Sequence, residues 1–128
     1  MAIGPSITRS APVVLVVEDN ERIRNAEAEA LSSRGYDVHT ATRTEEALRV
    51  LTGARVDLLI TDMHLPGEMQ GVALARRARE QWPHVKIVIV GADVDQFSPT
   101  DLPDLADVVL KKPFRLSEFE ERVASLVG

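Results

Sequence analysis

Short apolar runs alternate along the chain with segments that have the spacing of amphipathic helices. The first run, Val13–Val17, is continuous and β-branched, which is typical of a strand buried on both faces. Four further runs have the character of strands: Tyr36–Thr40, Val56–Thr61, Lys86–Val90 and Asp107–Leu110. Strands that alternate with helices predict βαβ units, and therefore a five-stranded parallel sheet covered by helices.

Capping and breaking residues mark the ends of the first two predicted helices. Asn20 can cap a first helix that ends before Gly35. Thr42 and Glu45 have the spacing of a capping box for a second helix, although Thr44 competes for the cap position. The residues predicted to face the core from these two helices are Ile23, Ala26, Ala30, Leu31, Ala47, Leu48 and Leu51.

The second half of the chain continues the alternation, with one irregular segment. Residues 71–82 have helical spacing, and Ser117 with Glu120 has the spacing of a capping box before a last helix. Between the fourth and fifth strands, Pro99 and Pro103 lie four residues apart. In a helix the second proline would clash with the carbonyl group of the first, at a cost of about 3 kcal/mol. We therefore expect a short or irregular fourth helix in that segment.

Composition indicates one ordinary globular domain. The chain has 128 residues, of which 45% are hydrophobic and 27% are charged. It has no cysteine, which excludes disulfides, thiolate metal sites and cysteine nucleophiles. No apolar run approaches the roughly 18 residues of a membrane span, and the first residues lack the apolar core of a signal peptide. We expect a flexible tail over residues 1–11, a domain over 12–128, a cytoplasmic location and no membrane partner.

Charge and the positions of acidic residues point to a cation site. The net charge of −5 disfavours a nucleic-acid partner. Glu18 and Asp19 end the first predicted strand, and Asp62 ends the third. The carboxyl ends of parallel strands share one edge of the sheet, and a strand order 2-1-3-4-5 would bring these carboxylates together. Their mutual repulsion would be offset by a divalent cation, and all-oxygen ligation favours Mg²⁺, with Mn²⁺ or Ca²⁺ as alternatives.

Asp62 has a second chemical capability. A carboxylate can attack phosphorus and form an aspartyl phosphate, and a metal ion and a lysine would offset the charge on the equatorial oxygens. Lys111 and Lys112 both follow the fifth predicted strand. Because side chains alternate across a strand, only one of them can face the site, and this alternation alone does not decide which.

Three stretches in this order and spacing, VLVVEDN, DLLITDMHLPGEMQG and KKPF, resemble the receiver domain of two-component response regulators. The resemblance implies a flavodoxin-like fold of five βα units in three layers, with sheet order 2-1-3-4-5. It implies that Asp62 accepts a phosphoryl group from a histidine kinase or a histidine phosphotransfer protein. Glu18, Asp19 and Asp62 would hold Mg²⁺ together with the backbone carbonyl group of His64, and Lys112 would stabilise the phosphate.

Two positions depart from the family pattern. Gly91 stands where receivers carry serine or threonine, and Val109 stands where they often carry tyrosine or phenylalanine. The hydroxyl group normally donates to the phosphoryl group and moves with the aromatic side chain as a switch. A hydrogen bond to a charged group contributes about 1.5–3 kcal/mol, comparable to an allosteric coupling of about 1–3 kcal/mol. We therefore predict phosphorylation with a weakened or rerouted relay, as in stand-alone receivers with a loop-like fourth segment.

Other functions fit the sequence less well. A pseudo-receiver that binds a partner without being phosphorylated is the main alternative, favoured by Gly91 and Val109 but disfavoured by the complete set of acids and lysine. A phosphohydrolase of the haloacid dehalogenase type would need a second aspartate where His64 stands, so we do not expect a turnover enzyme. A nucleotide-binding protein would need a glycine-rich loop where EDNERIR offers acids. The cognate kinase, the downstream target and a homodimer are left open.

Overall fold

The strands and helices follow the predicted alternation closely. The computed structural model describes residues 11–67, 69–92, 94 and 105–128. The strands are β1 (Val13–Val17), β2 (Asp37–Ala41), β3 (Leu58–Asp62), β4 (Lys86–Gly91) and β5 (Val108–Lys111). The helices in the described part of the chain are α1 (Glu21–Ser33), α2 (Thr44–Gly53), α3 (Gly71–Gln81) and α4 (Leu116–Val127).

The five strands form one parallel sheet in the order β2-β1-β3-β4-β5, which confirms the predicted order. The chain runs outward from β1 to β2 and then crosses back to β3, so the carboxyl ends of β1 and β3 lie side by side where the direction of winding reverses. Ligands of open parallel sheets bind at such a point. The register places Asp62 opposite Val90, and Gly91 opposite Lys111.

Successive side chains of the buried strands point to opposite faces of the sheet and belong to two separate apolar cores. In β1, Leu15 and Val17 belong to one core, and Val14 and Val16 belong to the other. Helices α2 and α3 cover the first core with Ala47, Leu51, Leu74, Ala75 and Ala78. Helices α1 and α4 cover the second core with Leu31, Phe119 and Val123. The predicted three-layer α/β architecture is therefore confirmed.

Helix α1 is capped as predicted, but its inner face is rotated from the prediction. The Asn20 side chain accepts a hydrogen bond from the backbone N–H of Ile23 at 3.0 Å. Leu31 is buried, whereas Ala26 is exposed and its neighbour Glu27 is buried. Glu27 and Leu31 are four residues apart and so share one face of the helix. The sequence pattern misplaced this face because a carboxyl group is rarely buried.

The capping box predicted for α2 is wrong by one residue. The Glu46 carboxylate, not that of Glu45, accepts a hydrogen bond from the backbone N–H of Thr42 at 3.0 Å and another from the Thr42 hydroxyl group. Glu45 instead forms an ion pair with Arg43, which is the N-cap residue. Because the helix begins only after Arg43, the side chain that reaches back to Thr42 comes from four residues further on.

The capping box predicted for the last helix is also wrong. Arg115 is the N-cap residue of α4 and makes no side-chain capping bond, and Ser117 already lies inside the helix. The expected irregular fourth helix, with Pro99 and Pro103, lies outside the described residues, as does the expected tail up to residue 10. Within the described residues, no helix is both long and apolar enough to span a bilayer.

Candidate functional site

Four charged side chains meet at the carboxyl edge of the sheet. Glu18 and Asp19 directly follow β1, Asp62 is the last residue of β3, and Lys112 directly follows β5. One carboxylate oxygen from each of the three acids lies within 4.8 Å of the others. The strand order causes this convergence, because β1 and β3 are neighbours in the sheet.

Lys112 links the ends of the two central strands. Its Nζ donates to Glu18 Oε1 at 3.1 Å and to Asp62 Oδ2 at 3.0 Å. The backbone N–H of Lys112 donates to the carbonyl group of Gly91 at 3.0 Å, which ties the end of β5 to the end of β4. Of the two adjacent lysines, Lys112 therefore supplies the ammonium group that bridges Glu18 and Asp62.

Glu18 is the most deeply buried acid of the site, with 3% of its surface exposed. Its Oε2 accepts a hydrogen bond from the backbone N–H of Asn20 at 3.1 Å, so both carboxylate oxygens have a partner. Burial raises the pKa of Glu18, and the negative charge of Asp62 raises it further. The hydrogen bond from the Asn20 backbone N–H acts in the opposite direction and lowers this pKa. The arginine side chain of Arg24 donates to the Glu18 backbone carbonyl group at 3.1 Å and holds the loop after β1.

The reactive part of the site faces solvent. The Asp62 side chain is 12% exposed and that of Lys112 is 24% exposed, while Asp19 is exposed. Burial by itself would lower the pKa of Lys112, but its hydrogen bonds to Asp62 and Glu18 raise that pKa above the usual value. The ammonium group is therefore charged at neutral pH.

The arrangement is consistent with a divalent-ion site. The cluster holds three carboxylates and one ammonium group, which pairs with Glu18 and Asp62, so when ionised it keeps an excess of negative charge. Carboxylate oxygens are the ligands that hard divalent cations prefer. His64, two residues beyond Asp62 in the loop after β3, is exposed.

The loop after β3 is shaped by two glycines. Gly67 has a φ of +101°, a left-handed conformation that favours glycine. Gly71, the first residue of α3, packs against the backbone of Asp62: a Cβ atom at position 71 would lie 1.7 Å from the Asp62 carbonyl oxygen. Its N–H donates to the Met63 carbonyl group at 2.9 Å. Gly71 thus fixes the backbone beside Asp62. Its only signal in the sequence is a glycine at the start of a predicted helix.

The two atypical positions lie in the neighbouring strands β4 and β5. Gly91 is the buried last residue of β4, and Val109 lies in β5 opposite Ile89. A side chain at position 91 would meet Met63, the residue that follows Asp62. The sequence interpretation named Gly91 for the hydroxyl group it lacks, but did not identify Met63 as its neighbour.

Glu27 is a second buried acid that the sequence did not reveal. It is 4% exposed, and no other described residue forms a hydrogen bond or an ion pair with its carboxyl group. Burial, together with the negative charge of Glu18, raises the pKa of Glu27 to about 8. Glu27 also lines a cavity of about 410 Å³ between α1 and the loop after β5, together with Ile23, Lys112 and Phe114. A glutamate between alanines usually indicates an exposed helix surface, so the sequence carried no signal of this burial.

Comparison with known proteins agrees with this geometry. The family description "Response regulator receiver domain" matches residues 14–124. The sensor kinase CckA of Brucella abortus is 35% identical over 117 residues, which cover 89% of this chain and 12% of that protein. The aerobic respiration control protein ArcA of Escherichia coli is 34% identical over 117 residues, which cover 91% of this chain and 49% of ArcA. The chain thus spans about half the length of ArcA and a much smaller part of CckA.

Solved structures share the same fold. The response regulator protein TrrA of Thermotoga maritima, determined in complex with Mg²⁺ and BeF, superposes with a TM-score of 0.80 at 32% sequence identity. The match covers 90% of this chain and 98% of that chain. The resemblance found in the three sequence stretches is confirmed by a match along almost the whole chain. This protein chain accordingly belongs to the response regulator receiver domain family of two-component systems.

Proposed function

We propose that this domain is a phosphoacceptor module of a two-component phosphorelay, in which Asp62 accepts a phosphoryl group. The observation that carries the proposal is the environment of the Asp62 carboxylate. It lies at the carboxyl end of a central strand, partly open to solvent, 3.0 Å from the Lys112 ammonium group. Oxygens of Glu18 and Asp19 lie within 4.8 Å of its own.

The chain's own residues account for the main steps of the transfer. A carboxylate oxygen of Asp62 forms a bond to phosphorus while the bond between phosphorus and the donor histidine nitrogen breaks. Charge on the equatorial oxygens is offset by the Lys112 ammonium group. Glu18 holds that ammonium group in place, because its Oε1 accepts a hydrogen bond from Lys112 Nζ at 3.1 Å. The Gly71 contact keeps the Asp62 backbone from shifting as the side chain reacts.

The acidic cluster fits Mg²⁺, with Mn²⁺ and Ca²⁺ as alternatives. Glu18, Asp19 and Asp62 would hold the ion, and the backbone carbonyl group of His64 would complete the protein ligands. All of these donors are oxygens, and Mg²⁺ in proteins is bound by one or two carboxylates and phosphate oxygens with retained waters. When bound, the cation supplies positive charge that offsets the negative charge of the acids and of the incoming phosphoryl group.

The partner is inferred to be a histidine kinase or a histidine phosphotransfer protein. This inference is supported by the relatives, which include the sensor kinase CckA and the control protein ArcA. Receiver domains are in general signalling modules, and we propose the same for this chain rather than a turnover enzyme. The proposed domain covers residues 12–128, with residues 1–11 as a tail. The cytoplasmic location and the absence of nucleic-acid and membrane partners stay predictions.

We also propose that the conformational response to phosphorylation is weakened or rerouted. Gly91 offers no hydroxyl group to a phosphoryl group on Asp62, and Val109 offers no aromatic side chain. The competing function, a pseudo-receiver, is favoured by these same two residues. The joint position of Asp62, Lys112 and Glu18 supports the phosphoacceptor instead.

Intact-mass measurement after incubation with acetyl phosphate and Mg²⁺ tests the proposal. The wild-type protein should gain the mass of one phosphoryl group, and a chelator should prevent the gain. Asp62→Asn should gain nothing, whereas Asp37→Asn, an exposed aspartate at the start of β2, should react like the wild type. An unchanged wild-type mass would contradict the proposal and favour the pseudo-receiver. An equal gain in Asp62→Asn would contradict the proposal by showing that another residue accepts the phosphoryl group.

A further inference from the structure

The end of β4 has no side chain, and the space beside it is filled by Met63. A Cβ atom at position 91 would lie 2.7 Å from Met63 Sδ and 2.8 Å from Met63 Cγ. Real Cβ atoms essentially never approach other atoms so closely, so any side chain at Gly91 requires Met63 to move. Met63 is 1% exposed and is therefore enclosed by other core residues. Met63, the residue after Asp62, therefore packs directly against the backbone of Gly91 at the end of β4.

Space, rather than backbone conformation, restricts position 91. The glycines with positive φ in the described chain are Gly35, Gly67 and Gly128, and Gly91 is not among them. Its backbone, at the end of a regular strand, accepts any residue type. The Gly91 carbonyl group also accepts the hydrogen bond from the Lys112 N–H. Position 91 is thus held between the residue after Asp62 and the proposed phosphate-stabilising lysine.

The geometry points to Met63 as a positioning residue that takes the place of a β4 side chain at the phosphoacceptor site. Its thioether fills the volume where a hydroxyl-bearing side chain would begin, so the end of β4 presents apolar atoms next to the strand that carries Asp62. The part of this inference that concerns phosphorylation rests on the proposed function. The packing of Met63 against Gly91 does not depend on it.

Met63, the residue after Asp62, also connects the end of β3 to β4 and to the connection between β4 and β5. Its N–H donates to the Val90 carbonyl group at 2.9 Å. Its side chain belongs to the apolar core that includes Val94, Leu105 and Ala106, three of the described residues of the β4–β5 connection. A phosphoryl group on Asp62 would meet no hydroxyl group at position 91, so a response that reaches the β4–β5 connection would pass through the core that contains Met63. The response is therefore rerouted through the Met63 side chain.

A double-mutant cycle tests the packing without any phosphodonor. The four proteins are the wild type, Gly91→Ser, Met63→Ala and the double variant. Gly91→Ser should lower the Tm of the wild type by several degrees, because Met63 must be displaced. In the Met63→Ala background the same substitution should lower the Tm much less, since the thioether is gone. Equal losses in both backgrounds would overturn the inference.

A matched pair of substitutions tests whether position 91 faces the site. In the Met63→Ala background, Gly91→Ser adds a hydroxyl group and Gly91→Ala adds the same Cβ atom without it. The serine variant should bind beryllofluoride with Mg²⁺ about tenfold more tightly, the effect expected of one hydrogen bond to a charged group. Equal affinities of two folded variants would show that position 91 does not reach the site, and would overturn the inference.

Methionine methyl spectra give a readout that does not require Met63→Ala to fold. The chain has three methionines, and Met69 serves as the internal control because it lies in the loop before α3, where its carbonyl group accepts from Thr44. In the wild type, beryllofluoride with Mg²⁺ should shift the Met63 methyl signal more than that of Met69. A Met63 signal that stays unmoved while backbone amide signals report an occupied site would refute the relay. If beryllofluoride does not bind at all, the proposed function fails. The packing of Met63 against Gly91 is then tested separately, because the Met63 methyl signal of Gly91→Ala should differ from that of the wild type.

Discussion

The buried Glu27 carboxyl group should make the stability of this domain fall as pH rises. Burial holds its pKa at about 8 in the folded protein, against an ordinary value of 4.5. The groups whose charges act on it are Glu18 after β1, Asp62 at the end of β3 and Lys112 after β5. Because the folded-state pKa is the higher one, the folded protein binds the proton more tightly than the unfolded chain. The contribution of protonated Glu27 to the free energy of unfolding is complete below about pH 4.5. It decreases as the pH rises and is lost once the pH has passed about 8.

The size of this effect follows from the two pKa values. The difference between about 8 and 4.5, at about 1.36 kcal/mol per pH unit, corresponds to at most about 5 kcal/mol. Between about pH 6 and pH 8 the free energy of unfolding should fall by about 2 kcal/mol on account of Glu27. Glu27→Gln removes the titrating group but keeps the shape of the side chain, so it should abolish this part of the pH dependence.

Urea denaturation of the two proteins, followed by circular dichroism in the presence of a chelator, measures the difference. The free energy of unfolding of the wild type, minus that of Glu27→Gln, should decrease by about 2 kcal/mol between about pH 6 and pH 8. Glu29→Gln, an exposed neutralisation on the same helix, is the matched control and should follow the wild type. Parallel pH profiles for the wild type and Glu27→Gln would refute the reasoning.

Two further predictions concern the backbone and the ammonium group of the site. Gly71→Ala should lower the free energy of unfolding by about 1–3 kcal/mol, because its Cβ atom would meet the Asp62 carbonyl oxygen, whereas Gly53→Ala has open space and should not destabilise. Urea denaturation of both variants checks this, and similar losses would be contrary evidence. Lys112→Met should cost about 1–3 kcal/mol at neutral pH without divalent cations, because Glu18 and Asp62 lose their partner. Added Mg²⁺ should restore part of that loss in the same assay, and an unchanged stability of Lys112→Met would count against the account.

The sheet and the convergence of the site could be predicted because both depend on features that are local in sequence. Continuous β-branched runs such as Val13–Val17 indicate strands that are covered on both faces, and the alternation with helices requires them to be parallel. Acids at the carboxyl ends of parallel strands share one edge, and the strand order 2-1-3-4-5, which the family resemblance implies, makes β1 and β3 neighbours. Glu18 and Asp62 therefore come together although 44 positions separate them in the sequence.

The features that were missed depend on contacts between segments. Whether Glu27 is buried depends on the exact rotation of α1 against the sheet, and a helix boundary moved by one residue exchanges Glu45 for Glu46 at Thr42. The contact between Met63, which directly follows β3, and Gly91 at the end of β4 depends on a flexible side chain, and no local sequence pattern indicates it. Sequence patterns of periodicity and capping describe single elements, so such pairings appear only once the elements are packed.

The central claim is that the carboxylate of residue 62 captures the phosphoryl group. Borohydride reduction of an acyl phosphate converts the modified aspartate to homoserine, which peptide mapping then locates in the chain. After treatment of the wild-type protein with acetyl phosphate and Mg²⁺, homoserine should occur at position 62 and at no other acid of the site. An unmodified Asp62, or homoserine at Asp19 instead, would contradict the account.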